Sequence, residues 1–280
     1  MIETQPRLLE TCPYCHHKRA ELFRPNQALR HGNGHRDFYK CVECGMVYPR
    51  PRGLEVSGDS PRFQDPLVKD AGARYLTKLF RRLKGTYGTK KALDIGANTG
   101  KLCYIWSQLG IDAVGLEAGK EFVTYAQSKG IRCYQAAFPE IPSELSGHQF
   151  DLISCNSTEF YFLDPKSCFE KIYALLNEGG IFFLKFNSID SHDYAGSKSL
   201  FERAGNSVQG FASIESVTYN LKKTGFKIAE TIPYPEDYFY QTFKLRLKII
   251  QGIFNRIYYT VINHKRLLKT ADYVVVIAQR

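Results

Sequence analysis

Residues 91–102 read KALDIGANTGKL, and this stretch decides the fold. It joins a short apolar strand, a carboxylate at Asp94, a turn that holds Gly96 and Gly100, and the start of a helix over residues 102–109. Two glycines in such a turn let the backbone approach a ligand closely, and the free N–H groups of the helix lie at the same place. The pattern predicts a strand–turn–helix unit that cradles a cofactor.

The residues around this turn indicate which cofactor fits. Gly96 and Gly100 do not form the G-x-G-x-x-G fingerprint of dinucleotide-binding turns, and a carboxylate at Asp94 suits a pyrophosphate badly. A ligand with a cationic or zwitterionic end fits better. Glu117 ends the next predicted strand, residues 113–117, where a carboxylate accepts hydrogen bonds from ribose hydroxyls. Further strands are predicted at residues 131–136, 151–155 and 181–186, in the alternating order of a parallel α/β sheet.

Four motifs in this order resemble the class I S-adenosylmethionine-dependent methyltransferases. They are ALDIGANTG at 92–100, GLEA at 115–118, FDLISCN at 150–156 and ALLNEGGIFFLK at 174–185. The resemblance implies that S-adenosylmethionine is the cofactor and that Asn156 lies near its methyl group. Residues 136–138 (AAF) stand where relatives commonly carry a polar residue for adenine, so packing and backbone contacts are expected there. The predicted cofactor residues are Asp94, Gly96, Ala97, Asn98, Gly100, Glu117, Ala118 and Asn156.

Residues 226–233 and 272–278 read as two last strands that complete the seven-stranded sheet of that family. The predicted fold class is α/β, a Rossmann-like, mostly parallel sheet with helices on both faces, plus a small zinc-ribbon-like module at the N-terminus. A helix whose apolar residues recur at helical spacing precedes the first strand, and Gly85 and Gly88 are expected to end it. The predicted domains are a zinc-binding module at 1–53, a linker and helix at 54–90, and the methyltransferase domain at 91–280, with a basic helical insertion at about 238–270.

The N-terminal segment carries two C-x-x-C pairs, Cys12 with Cys15 and Cys41 with Cys44. Each tight turn presents two sulfurs on one side, so four thiolates can surround one zinc ion tetrahedrally. A complete set of four cysteines leaves no position for water, and the zinc is therefore predicted to be structural. The alternative is four free thiols in a reducing cytosol. Residues 1–10 lack the apolar stretch of a signal peptide and no run of 18 apolar residues occurs, so a cytoplasmic location is expected.

The segments after the fourth and fifth strands are expected to form the acceptor pocket. The chain resembles bacterial methyltransferases of sugars and other small molecules, including nucleotide-linked deoxysugars. Those relatives carry a Glu-His pair before an Asp-Pro, where this chain has Phe160 and Tyr161. Tyr161 and His192 are the preferred catalytic candidates, and Glu159 and Asp193 are further ones.

The charge distribution does not identify the methyl acceptor. The net charge is +10, with 17 Lys and Arg against 9 Asp and Glu in residues 1–90, 13 against 18 in 91–240, and 8 against 1 in 241–280. Basic ends of this kind are typical of proteins that meet an anion, although ordinary solvated side chains give the same count. The leading hypothesis is methyl transfer to a small molecule, anionic or nucleotide-linked, such as a sugar or glycan precursor. The alternatives are an RNA methyltransferase and a non-catalytic cofactor-binding protein, and the basic C-terminal segment also suits peripheral membrane contact.

Overall fold

The structure is a computed structural model that describes residues 11–28, 35–50, 65–190, 208–234 and 273–280. Its N-terminal part is an antiparallel sheet whose three strands follow each other in order. They are β1 (Ala20–Ala28), β2 (His35–Cys41) and β3 (Val47–Arg50). Cys12 and Cys15 lie in the turn before β1, whereas Cys41 ends β2 and Cys44 lies in the turn that follows it.

A second sheet of seven strands forms the body of the molecule. The strands are β4 (Lys91–Ile95), β5 (Asp112–Glu117), β6 (Cys133–Gln135), β7 (Phe150–Asn156), β8 (Leu176–Asn187), β9 (Lys227–Tyr234) and β10 (Tyr273–Gln279). Their order is β6-β5-β4-β7-β8-β10-β9. β10 runs in the direction opposite to that of the other six strands. The predicted seven-stranded, mostly parallel sheet is confirmed. Its order reverses between β4 and β7, which is where open α/β sheets bind their ligands.

In the described ranges, five α-helices are packed around this sheet. They are α1 (Ala71–Tyr87), α2 (Lys101–Gln108), α3 (Lys120–Ser128), α4 (Pro165–Leu175) and α5 (Ile214–Thr224). Asp70 caps α1 by accepting a hydrogen bond from the N–H of Ala73, and Gly88 ends the helix in the left-handed region. The expectation that Gly85 helps to end α1 is wrong, because Gly85 lies inside the helix. One glycine costs a helix only about 1 kcal/mol, and the buried side chains of Phe80 and Leu83 hold this helix to the sheet.

The two faces of the sheet are covered by different helices. On one face, Phe80 of α1 meets Trp106 of α2 edge to face, with the ring centroids 5.2 Å apart. On the other face, Phe169 of α4 packs against Phe182 of β8. This layering buries both faces of the central strands, as a parallel sheet requires. None of the helices in the described ranges is long and apolar enough to cross a membrane.

The cysteine-bearing module packs directly on the α4 face. The ring of Tyr14, from the first C-x-x-C turn, lies 5.5 Å from the ring of Phe169 and is buried. His16 Nε2 lies 2.9 Å from Asp164 Oδ1, at the start of α4. Val47 of β3 and Phe211, just before α5, exchange two backbone hydrogen bonds of 3.0 and 2.7 Å. The module and the sheet therefore share one hydrophobic core. The predicted insertion at about 238–270 and most of the predicted linker, residues 54–64, lie outside the described residues.

Candidate cofactor and acceptor site

The turn between β4 and α2 is shaped so that two of its positions accept only glycine. Gly96 has a φ of +72° and Gly100 a φ of +85°, both in the left-handed region. A Cβ on Gly96 would lie 2.4 Å from Thr158 Oγ1, and a Cβ on Gly100 would lie 2.8 Å from a side-chain carbon of Ile131. The N–H groups of Gly96 and Ala97 both donate to the carbonyl of Leu116, at 2.8 and 2.9 Å. The turn is thus fixed against β5 and pressed against the segment that follows β7.

Glu117 at the end of β5 binds this turn from the side. One carboxylate oxygen accepts a hydrogen bond from the N–H of Asn98 at 2.8 Å, and the other accepts one from Gly119 at 2.9 Å. Asn98 itself has a φ of +50°. The structure therefore brings together the predicted residues of the first turn and those after β5, including Ala118. A carboxylate offers about four lone-pair directions, so Glu117 can accept further hydrogen bonds while it holds the turn.

Asp94 lies at the carboxyl end of β4, buried beneath the turn. It is 3% exposed and accepts a hydrogen bond from the hydroxyl of Ser154 on β7. Burial raises the pKa of Asp94 to about 7, the Ser154 hydrogen bond opposes this, and the charge of Glu117 adds to it. A cation placed beside such a carboxyl group favours its ionised form. A ligand with a cationic or zwitterionic end at this position therefore stays a prediction.

Unpaired oxygen atoms collect at the carboxyl ends of β7 and β8. Asn156 ends β7 and Asn187 ends the neighbouring strand β8. Among the described residues, four side-chain oxygens here are buried and have no hydrogen-bond partner: Asn156 Oδ1, Ser157 Oγ, Glu159 Oε2 and Asn187 Oδ1. A buried polar atom without a partner costs about 1–3 kcal/mol. This edge of the sheet is therefore suited to a ligand that donates hydrogen bonds.

Glu159 is the carboxyl group of this edge. It begins a short 3₁₀ turn, Glu159–Tyr161, and is 3% exposed. Burial raises the pKa of Glu159 to about 8, although backbone hydrogen bonds and the nearby charge of Lys185 oppose the shift. Lys185 is itself buried, with Nζ 4.2 Å and 4.4 Å from the ring centroids of Tyr234 and Tyr273.

The structure describes only one of the two catalytic candidates preferred from the sequence. Tyr161 lies on the same short turn but is 41% exposed, and His192 lies outside the described residues. Glu159, a lower-ranked candidate, is buried, and Asp193 also lies outside the described residues. Sequence reasoning missed the contributions of Thr158, Ser154 and Lys185. Ser154 and Lys185 lie within quoted motifs, but the motifs do not show that they contact Asp94 and Glu159, and Thr158 gains its contact with Gly96 only through the fold.

The four N-terminal cysteines form the one cluster of potential metal ligands found in the part of the chain that the structure describes. All four are free thiols, and their sulfur atoms lie within 4.8 Å of one another. Cys12 and Cys44 are 3.5 Å apart at sulfur, and Cys15 and Cys41 are 3.6 Å apart. Four sulfurs that each lie about 2.3 Å from a central zinc ion are separated by similar distances. The geometry fits the predicted zinc site.

Comparison with known proteins relates the central part of the chain to methyltransferases. Residues 93–184 match the family model described as a methyltransferase domain. A ubiquinone biosynthesis O-methyltransferase of Aliivibrio fischeri (strain MJ11) is 28% identical over 127 residues, covering 43% of this chain and 54% of the relative. The uncharacterized methyltransferase YcgJ of Bacillus subtilis (strain 168) is 29% identical over 101 residues, covering 34% and 39%. The chain spans about half the length, or less, of these curated relatives.

Solved structures show the same fold at low sequence identity. A SAM-dependent methyltransferase from Archaeoglobus fulgidus superposes with a TM-score of 0.54 at 15% identity, over 74% of this chain and 94% of that one. One from Mesorhizobium loti gives 0.53 at 16% identity, over 75% and 99%. The sheet therefore has the fold of S-adenosylmethionine-dependent methyltransferases. The 4+2 cyclase SpnF gives a TM-score of 0.54 at 18% identity, over 78% and 84%, so this fold alone does not fix the reaction.

Proposed function

We propose that this protein is an S-adenosylmethionine-dependent methyltransferase that methylates a small molecule. The observation that carries the proposal is the closed contact between the first turn and Glu117. Gly96 and Gly100 have no room for a side chain, and the Glu117 carboxylate holds the same turn from the end of β5. The match of residues 93–184 to the methyltransferase family supports it.

Each part of the proposed cofactor site has its own task. When bound, S-adenosylmethionine supplies a methyl group on a positively charged sulfur. Gly96 and Gly100 let the backbone approach the ligand, and Glu117 accepts hydrogen bonds from the ribose hydroxyls. Asp94 supplies a carboxyl group whose ionised form a cationic ligand favours. The proposed cofactor-binding residues are Asp94, Gly96, Ala97, Asn98, Gly100, Glu117, Ala118 and Asn156.

The proposed acceptor is a small hydroxyl compound, such as a sugar or glycan precursor. Its support is the group of unpaired oxygens at the ends of β7 and β8, which accept the hydrogen bonds that hydroxyls donate. The relatives named O-methyltransferases agree with transfer to oxygen. The basic ends of the chain, with 17 Lys and Arg against 9 Asp and Glu in residues 1–90 and 8 against 1 in 241–280, favour an anionic or nucleotide-linked form of such a compound.

We also propose that Cys12, Cys15, Cys41 and Cys44 bind one structural zinc ion. The distances between their sulfur atoms support the proposal. The ion would hold the two turns of the module together and so keep Tyr14 against α4. With four thiolates as ligands, it would have no open position for chemistry.

Calorimetry with S-adenosylhomocysteine tests the proposed function. We expect a one-to-one complex that Glu117→Ala weakens roughly 10- to 100-fold, since a hydrogen bond to a charged group contributes about 1.5–3 kcal/mol. Glu121→Ala is the matched control, because Glu121 is an exposed carboxylate at the start of α3. The Glu121→Ala variant should bind S-adenosylhomocysteine with unchanged affinity. Absence of binding by the unmutated protein would refute the proposal.

A further inference from the structure

The segment that follows β7 lies directly against the first turn. The side chain of Thr158 occupies the space beside Gly96, where any Cβ would lie 2.4 Å from its hydroxyl oxygen. Glu159 comes next in the chain, and its carboxyl group is buried near Tyr14, Cys155 and Lys185. Ser157, with a φ of +58°, makes the bend that brings the segment there, and its N–H donates to the carbonyl of Lys185 at 2.8 Å.

We propose that Glu159 faces the transferred methyl group and is the base that takes the proton from the acceptor hydroxyl. This inference rests on the proposed function and deepens it, because it restricts the acceptor to groups that lose a proton as they are methylated. Glu159 Oε2 is buried and has no hydrogen-bond partner among the described residues. It can therefore accept a hydrogen bond from a ligand without giving up one it already makes.

The groups around Glu159 come from three separate parts of the fold. Lys185 of β8 contributes the one positive charge that the described surroundings place on it, and Cys155 of β7 is a buried neutral thiol. Tyr14 comes from the first C-x-x-C turn, and its hydroxyl is also buried without a hydrogen-bond partner in the described structure. Burial dominates this balance and raises the pKa of Glu159 to about 8, so the carboxylate that forms is a strong base for its type.

The proposed step balances in atoms and charge. The acceptor oxygen forms a bond to the methyl carbon, and the carbon–sulfur bond breaks with its electron pair left on sulfur. The hydroxyl proton passes to the Glu159 carboxylate. Asn156 Oδ1 and Asn187 Oδ1 are available to accept hydrogen bonds from further hydroxyls of the acceptor. Tyr161 fits this task less well, because its side chain is 41% exposed.

The test compares how many protons are released when S-adenosylmethionine and S-adenosylhomocysteine bind at pH 7. Each is titrated by calorimetry in two buffers of different ionisation enthalpy. The two compounds differ by one methyl group and its positive charge, which lowers the pKa of a carboxyl group that faces it. We expect S-adenosylmethionine to release roughly half a proton more than S-adenosylhomocysteine, since a group with a pKa near 8 is about 90% protonated at pH 7.

Glu159→Gln should bind both compounds and lose this difference, whereas Glu144→Gln, at an exposed position, should keep it. Equal proton release in the unmutated protein overturns the inference. So does a difference that is as large in Glu159→Gln as in the unmutated protein, since it would then arise entirely from another group such as Asp94. If neither compound binds to the unmutated protein, the proposed function itself fails, and that result is distinct from the other two.

Discussion

Two buried carboxyl groups lie at the carboxyl ends of neighbouring strands, Asp94 on β4 and Glu159 after β7. Burial raises the pKa of Asp94 to about 7 and that of Glu159 to about 8. Ordinary values are about 4, so the folded chain keeps both protons at a pH where the unfolded chain has released them. Folding therefore becomes less favourable as the pH rises towards these values. Such a cost is typical of groups kept for chemistry.

In the Glu159→Gln variant, the part of this pH-dependent loss of stability that comes from Glu159 should be absent. Below about pH 4 both states of the original chain are protonated, and the carboxyl group contributes no pH dependence. Between there and pH 8 only the unfolded state loses its proton, so the free energy of unfolding falls. Glutamine does not titrate. Between pH 5 and pH 8.5, we expect the free energy of unfolding of the variant to rise relative to that of the original chain by on the order of 3 kcal/mol.

Urea unfolding of both proteins at pH 5, 7 and 8.5 measures this gain. The exposed carboxylate of Glu144 provides the control, because Glu144→Gln should run parallel to the original chain at every pH. A constant gap between Glu159→Gln and the original chain would mean that Glu159 titrates as an ordinary surface carboxylate.

At the level of elements, the sequence specified the turn after β4 better than it specified the ends of the strands. Residues 131–136 were predicted as a strand, but β6 covers only Cys133–Gln135 because it is an edge strand that pairs with β5 alone. β8 begins at Leu176 rather than at residue 181, because Phe150 of β7 pairs with Leu176. The positions of glycines and carboxylates can be read directly from a short stretch of sequence, whereas the partners with which a strand pairs cannot. For the same reason the surroundings of Glu159 could not be predicted, since they include Tyr14 and Lys185, which are far away in the sequence.

Alanine substitutions at Gly96 and Gly130 separate the effect of the left-handed backbone from the effect of the close contact with Thr158. Alanine at this position must adopt a φ of +72° and must also displace Thr158. Gly130→Ala is a matched control, because Gly130 has a φ of +75° but nothing within 4 Å of an added Cβ. The backbone effect alone costs about 1–2 kcal/mol.

We expect Gly130→Ala to lose that amount of stability and to bind S-adenosylhomocysteine normally. Gly96→Ala should lose more stability and should weaken binding at least about tenfold, because the displaced Thr158 segment borders the site. Thermal unfolding and calorimetry on the same samples give both values. Equal behaviour of the two variants would show that Thr158 yields easily and that the close contact has no importance for binding.

At the level of the whole molecule, the cysteine module is part of the core and not an appendage. Tyr14 packs on Phe169, His16 contacts Asp164, and β3 pairs with the segment before α5. The spacing of the four cysteines predicts that they form one ligand set, but it does not indicate that His16 contacts the start of α4. Its contact with Asp164 joins positions 148 residues apart, and no local pattern records such a contact.

This shared core determines what loss of the proposed zinc should do. Metal analysis after gel filtration should find one zinc ion per chain, and none when all four cysteines are replaced by serine. Cys103→Ala, at a buried cysteine outside the cluster, should keep the metal. Because Tyr14 and α4 share one core, we expect chelation to lower the melting temperature of the whole chain by about 10 °C or more in a single transition. A separate low-temperature transition, with the main one unchanged, would instead show that the module unfolds alone and that the sheet is stable without it.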